Sequence, residues 1–165
     1  MGQHGVTDYY TDKFQSGLEY QDFIIDQLRR QKTCLIIQTY SSLKWQKSAG
    51  ESSSGIEIKF DMLFHKTGNL YFEVAEKSSE DKPEFSPSGI MREDNSWLYL
   101  IGDYHEAFLF SKHQLRTVFE NKDGYAARGI REKQTPTSVG ITYPVENAMK
   151  GLCLKRFVFD GQERR

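Results

Sequence analysis

The chain has 165 residues, a length typical of a single domain, and its 22 Lys and Arg residues are balanced by 23 Asp and Glu. The formal net charge of −1 argues against a protein that coats nucleic acid by bulk charge, although a local basic groove stays open. Two isolated cysteines and no apolar run near the roughly 20 residues of a membrane span exclude disulfide-scaffold, zinc-finger and membrane-spanning classes. The N-terminus lacks a basic-then-apolar signal, which predicts a cytoplasmic protein without a membrane partner.

The first third of the chain predicts a helix, a short strand and a loop. Residues 1–15 are polar and predict a loose lead-in. A helix is expected to begin at Ser16, because apolar residues then recur at helical spacing. The apolar run 34–37 predicts a strand, and the polar stretch 38–55 predicts a loop.

Two strands are predicted next, over residues 56–64 and 69–77, where apolar and polar residues alternate. Lys66, Thr67 and Gly68 lie between them and fit a three-residue hairpin loop with glycine in its last position. The sequence therefore predicts an antiparallel hairpin.

The predicted hairpin register brings charged residues together. It places Asp61 opposite Glu73 and Lys59 opposite Ala75, with Glu57 on the same face of the first strand. Opposed like charges are destabilising unless a cation neutralises them, and carboxylate oxygens are the ligands that Mg²⁺ and Mn²⁺ prefer. The alternative is an edge strand with an ordinary solvated face.

The remaining sequence predicts further elements of both kinds. They are a polar loop at 78–96, a hairpin at 97–101 and 107–110, a helix capped by Ser111, a polar loop at 121–137, a short helix at 145–150 and a last strand at 152–159. This order predicts an α/β protein with one mixed central sheet.

The segment from Gly55 to Asp61, followed by Thr67 to Glu73, resembles the PD-(D/E)XK nucleases, most closely their phage-encoded and Holliday-junction-resolvase-like branch. Asp61 matches the aspartate of the second strand, Glu73 the acidic residue of the third strand, and Glu19 the glutamate of the first helix. The resemblance covers roughly residues 16–120.

The resemblance implies a single restriction-endonuclease-like domain over residues 1–165, with a mixed central sheet flanked by helices. It implies a metal-dependent endonuclease that uses Mg²⁺ or Mn²⁺ to hydrolyse phosphodiester bonds of DNA, with branched DNA among its substrates. It also implies a homodimer. Asp61 and Glu73 would hold the metal, with Glu57 as a further ligand or as the partner of Lys59. Glu51 is open to two interpretations, an extra ligand or an ordinary loop carboxylate.

One position departs from the family pattern, because the motif lysine is replaced by Ala75. The predicted register offers Lys59 as its substitute, and Lys77 is the other candidate. Of the six Lys and Arg of residues 112–133, five are candidate contacts to a DNA backbone, and they could equally belong to an ordinary solvated surface; they are Lys112, Arg116, Arg128, Arg131 and Lys133.

Two further functions are open. Ala75 favours a catalytically inactive nuclease-fold protein that binds DNA or a protein partner, such as a phage accessory or inhibitor protein. A separate possibility is a host-takeover or inhibitor protein that uses the 78–96 loop.

Overall fold

The computed structural model describes residues 4–31 and 49–159. Within them the chain forms helices and strands in the order α1 (His4–Arg30), β1 (Ile56–Phe60), α2 (Phe64–Thr67), β2 (Asn69–Glu76), β3 (Ser86–Pro87), β4 (Leu98–Gly102), β5 (Glu106–Ser111), α3 (Lys112–Glu120), α4 (Tyr125–Arg128), β6 (Arg131–Gln134), β7 (Ser138–Pro144), α5 (Val145–Gly151) and β8 (Cys153–Val158).

The strands form two four-stranded sheets. The first has the order β1-β4-β5-β8 and is mixed, because β1 runs parallel to β4 while β4, β5 and β8 pair antiparallel. The second has the order β3-β2-β7-β6 and is antiparallel throughout. The predicted α/β class and the mixed sheet are confirmed, but the strands are divided between two sheets and not gathered in one.

The first sheet is covered on both faces. One face carries Ile56, Ile58 and Leu100, which form a core with Tyr20 and Ile24 of α1. The opposite face carries aromatic residues of β4 and β5 that pack against the second sheet, and this second core includes Tyr99, Phe108, Phe110, Leu70, Phe72 and Ile141. The first sheet therefore lies between α1 and the second sheet.

The predicted hairpin of residues 56–64 and 69–77 is wrong, because its two strands lie in different sheets. Lys59 is paired with Ile101 of β4, and Ala75 with Val139 of β7. Lys66 and Thr67 of the expected loop belong to α2, and Gly68, with φ of 70°, caps the end of this helix. This helical turn redirects the chain from one sheet to the other, a path that a tight hairpin loop cannot give.

Several other predictions are tested by the described residues. The 97–101 and 107–110 hairpin, the helix capped by Ser111, the short helix near 145–150 and the last strand are confirmed. The lead-in at 1–15 is wrong, since α1 begins at His4. The loop at 121–137 contains α4 and β6, and β7 was not predicted. The strand at 34–37 lies outside the described residues.

The errors at 1–15 and 121–137 have physical causes. The N-terminal segment is polar and its helix has only a weak apolar stripe, so its composition resembles that of a loop. All four residues of β6 are exposed, so this edge strand lacks the alternation that marks a half-buried strand.

In the part of the chain that the structure describes, no helix has the length and apolar character needed to cross a bilayer.

Candidate functional site

The candidate site begins with two charged residues on β1. Side chains alternate along a strand, so Ile56 and Ile58 face α1 while Glu57 and Lys59 face the opposite way. Glu57 lies beside Tyr99 of β4 and has no exposed surface. A carboxylate buried in this way requires cationic partners.

Two lysines supply these partners. Lys59 Nζ lies 3.1 Å from Glu57 Oε1, and Lys112 Nζ lies 3.2 Å from Glu57 Oε2. Lys112 also lies 2.9 Å from Asp94 Oδ1, and the side chains of Lys112 and Asp94 are almost fully buried. With Glu51, these residues form what we call the ion-pair cluster: Glu51, Glu57, Lys59, Asp94 and Lys112.

Glu51 joins the cluster to the surrounding backbone. Its Oε1 lies 3.4 Å from Lys59 Nζ, and its Oε2 accepts a hydrogen bond from the Ile58 amide at 2.9 Å. Gln21 Nε2 of α1 donates to the same Oε2 at 3.4 Å. Glu51 therefore connects the helix, the loop before β1 and β1 itself.

The cluster shifts the pKa values of its members. Burial alone would lower the pKa of Lys59, but Glu51 and Glu57 raise it well above its ordinary value. Burial raises the pKa of Glu57, against the opposing effect of Lys59. Burial opposes ionisation of Asp94 as well, yet hydrogen bonds from Lys112 and the Ser96 amide lower its pKa.

The two carboxylates expected to hold a metal are bound by other groups of the protein. Asp61 accepts hydrogen bonds from the Leu63 amide at 2.9 Å and the Tyr71 amide at 3.1 Å. These bonds fasten the chain after β1 to the start of β2. In Glu73, Oε1 accepts from Ser88 Oγ at 2.6 Å and Oε2 accepts from Ser138 Oγ at 2.8 Å.

The predicted metal ligands do not converge on one cation position within the described residues. Both oxygens of Glu57 lie at ion-pair distance from ammonium groups, and each oxygen of Asp61 and Glu73 accepts a hydrogen bond from the protein. Among the residues that the structure describes, no three His, Cys, Asp or Glu side chains are grouped so as to hold a metal ion.

The remaining predicted catalytic residues are dispersed. Glu19 accepts a hydrogen bond from Gln15 at 3.4 Å, and Gln21 of the same helix donates to Glu51. Residues 19 and 21 differ by about 200° around a helix, so they point in different directions. The argument that Lys59 fills the space beside Ala75 is wrong, because the two residues lie in different sheets. Lys77 Nζ donates to the Glu80 carbonyl.

The predicted DNA-contacting cations divide into two groups. Lys112 is 1% exposed and belongs to the cluster, so it does not face a DNA backbone. Arg116 donates to the carbonyls of Ile90 and Arg92 and fastens the segment before β4. Three cations, Arg128, Arg131 and Lys133, are exposed.

Sequence reasoning missed Asp94, Tyr99 and Gln21. Each is distant from β1 in sequence and comes close only through sheet pairing or helix packing, so spacing gave no signal for them. Alternation placed Glu57 and Lys59 on the face of β1 opposite the isoleucines, but it did not show that Glu57 is buried there.

In comparisons with known proteins, no family model, no curated protein and no solved structure matches the chain.

Proposed function

We propose that the chain is a DNA-binding protein of nuclease-like α/β architecture in which the ion-pair cluster stabilises the fold and is not a metal centre. The observation that argues against a metal centre is that the predicted metal ligands contact the protein's own donors. Glu57 is paired with two lysines, Glu73 with two serine hydroxyls, and Asp61 with two backbone amides.

A metal at Glu57 would require the buried Lys112 and the partly exposed Lys59 to move. Lys112 is held between Glu57 and Asp94, and all three side chains are no more than 2% exposed. Separating one partner from a buried pair of this kind costs about 3–5 kcal/mol, because the remaining charge stays in a poorly solvated environment. The cost favours the ion pairs over a metal.

DNA is the proposed ligand because cations remain on the surface after the cluster is accounted for. Arg128, Arg131 and Lys133 are exposed; Arg128 ends α4, and the other two lie on β6. Guanidinium and ammonium groups of this kind contact phosphate oxygens without reading sequence.

A second candidate is the metal-dependent PD-(D/E)XK endonuclease with a restriction-endonuclease-like fold, including an activity on branched DNA. The observation in its favour is the position of Lys59, whose Nζ lies 3.1 Å from Glu57 and 3.4 Å from Glu51 and whose pKa is raised further by Glu73. In this candidate Asp61, Glu73, Glu57 and Lys59 would rearrange when a metal enters, and Lys59 would stabilise negative charge at the reacting phosphate.

The two candidates are separated by binding and cleavage measured on the same DNA. Plasmid, linear duplex, single strands and a four-way junction are incubated with the protein in EDTA, in Mg²⁺ and in Mn²⁺. The proposal expects mobility shifts in EDTA and intact DNA in every buffer. Cleavage that needs the metal and disappears in Asp61→Asn and Glu73→Gln would establish the endonuclease instead. Failure to shift any of these DNAs would refute DNA binding.

A further inference from the structure

The outward face of the second sheet carries an organised set of side chains that the proposed function does not yet use. Residues directly opposed in an antiparallel pair share a face of the sheet. Tyr71 of β2 and Arg131 of β6 are both opposite Thr142 of β7, so the three form one row across the sheet. Glu73 and Lys133 are both opposite Gly140 and form the next row.

Gly140 makes room for the ring of Tyr71 on this face. A methyl group added at Gly140 would lie 2.6 Å from Tyr71 Cζ and 2.5 Å from the Phe72 carbonyl oxygen. The Tyr71 ring therefore lies across β7 in the space that any larger residue would fill. Its hydroxyl is fixed by a 2.7 Å hydrogen bond with Ser138 Oγ, so the orientation of the ring is set from both ends.

Two cations of β6 share this face with the ring. Lys133 Nζ lies over the Tyr71 ring, 5.9 Å from its centroid, and the backbone of Arg131 is about 6.6 Å from that of Lys133 along the strand. Both side chains belong to an edge strand whose residues are all exposed. The carboxylate on the same face, Glu73, has both oxygens hydrogen-bonded to serine hydroxyls.

We infer that this face, defined by Tyr71, Arg131, Lys133, Thr142 and Gly140 and named here the Tyr71 platform, binds single-stranded DNA. An unpaired base stacks on the Tyr71 ring while Arg131 and Lys133 contact the phosphates on either side of it. This inference rests on the proposed DNA binding and specifies its surface and the form of the DNA.

The single-stranded form follows from the geometry of the ring. A ring lying along a sheet offers its π-face, and a base can stack on it only when that base is free of a duplex. The cations alone would serve single and double strands alike, because phosphates carry the same charge in both. Preference for single strands is therefore the property that Tyr71 should supply.

The test is fluorescence anisotropy with a labelled mixed-sequence strand of about 16 nucleotides, near the upper site size of single-strand modules, and with the matching duplex. The wild type is expected to bind the strand more tightly than the duplex. Tyr71→Ala should weaken strand binding by about five- to a hundredfold, as for the loss of one stacked base, and Tyr71→Phe should retain it. Arg131→Ser and Lys133→Ser should each reduce the steepness of the plot of log affinity against log salt concentration by about 0.7.

Matched controls separate the platform from general effects. Trp97→Ala removes an exposed aromatic residue just before β4, and Lys155→Ser removes an exposed cation of β8. Both should leave strand affinity within twofold, and circular dichroism confirms that each variant is folded.

The outcomes are distinct. Equal affinity for strand and duplex that Tyr71→Ala does not change would overturn the platform while leaving DNA binding in place. Weakening by Trp97→Ala or Lys155→Ser and not by Tyr71→Ala would also overturn it. Absence of binding to either DNA would refute the proposed function itself.

Discussion

Replacing Lys112 with methionine should lower the free energy of unfolding by more than a change of an exposed residue does. Lys112 lies 3.2 Å from Glu57 and 2.9 Å from Asp94, and neither carboxylate has significant access to water. Methionine retains most of the aliphatic stem, so the loss is mainly one charge between two buried anions. Loss of one partner from a buried charge pair costs about 3–5 kcal/mol.

The lower part of this range applies if the remaining partners compensate. Glu57 still has Lys59 at 3.1 Å, and Asp94 still has Arg92 at 3.5 Å. For a chain of this length, about 3–5 kcal/mol corresponds to a fall of about 6–20 °C in the melting temperature. Adding Asp94→Asn to Lys112→Met should recover part of the loss, because it removes one unpaired anion.

Urea denaturation at neutral pH measures the free energy of unfolding of each variant. The control is Lys122→Met, which breaks an ion pair with Glu132 between two largely exposed side chains. That variant should lose no more than about 1 kcal/mol. A loss below about 1 kcal/mol in Lys112→Met, equal to its control, would show that the cluster does not stabilise the fold.

Three further predictions concern stability. Tyr20 is fully buried and its hydroxyl has no hydrogen-bond partner among the described residues, so Tyr20→Phe should be neutral or should raise the free energy of unfolding by up to about 1 kcal/mol in urea denaturation; a clear loss would reveal a partner. Burial raises the pKa of Tyr99 in the folded protein well above its ordinary value, so the unfolded chain loses this proton first as the pH rises. The contribution of Tyr99 to the free energy of unfolding is therefore complete below about pH 10 and is lost at higher pH. Unfolding measured across this range should show a shallower decline in Tyr99→Phe than in the wild type, and parallel curves would contradict this reasoning. Gly89 has φ of 49°, and an added methyl group would lie 2.3 Å from the Glu73 carbonyl oxygen. Gly89→Ala should therefore lower the melting temperature by more than Gly68→Ala, where φ is 70° and no atom of the described residues beyond its chain neighbours lies within 4 Å of the added methyl group. Equal losses in the two variants would show that the contact at Gly89 relaxes freely.

Local patterns in the sequence were sufficient for elements that depend on neighbouring residues. The strand β2 was predicted because Leu70, Phe72 and Val74 alternate with polar residues, and its inward face is buried as expected. The helix α3 was predicted from its cap, and Ser111 Oγ does accept a hydrogen bond from the Gln114 amide. These features follow from spacing alone.

Pairing between strands could not be obtained in the same way. The hairpin prediction assumed that adjacent strands pair, whereas β1 pairs with β4, which is some forty residues later in the chain. The predicted contacts of Lys59 with position 75 and of Asp61 with Glu73 depended on that assumption. Glu57 and Lys59 were correctly placed on one face, because alternation within a strand does not depend on its partner.

The roles of charged residues were the least predictable part of the site. Lys112 stands among other cations in the sequence, and only the packing of β5 against β4 shows that it is buried beside Glu57. Burial converts a presumed DNA contact into an internal ion pair. Sequence spacing gives the charge of a side chain but not its solvation, and solvation decides between these roles.

The central claim is that the ion-pair cluster and the neighbouring carboxylates are complete without a metal. Thermal unfolding in EDTA, in Mg²⁺ and in Mn²⁺ tests it most directly, because a cation that binds the folded chain must raise its melting temperature. The account predicts the same melting temperature in all three buffers for the wild type and for Asp61→Asn. A metal-dependent rise in the wild type that is absent in Asp61→Asn would contradict it and would favour the metal-dependent nuclease.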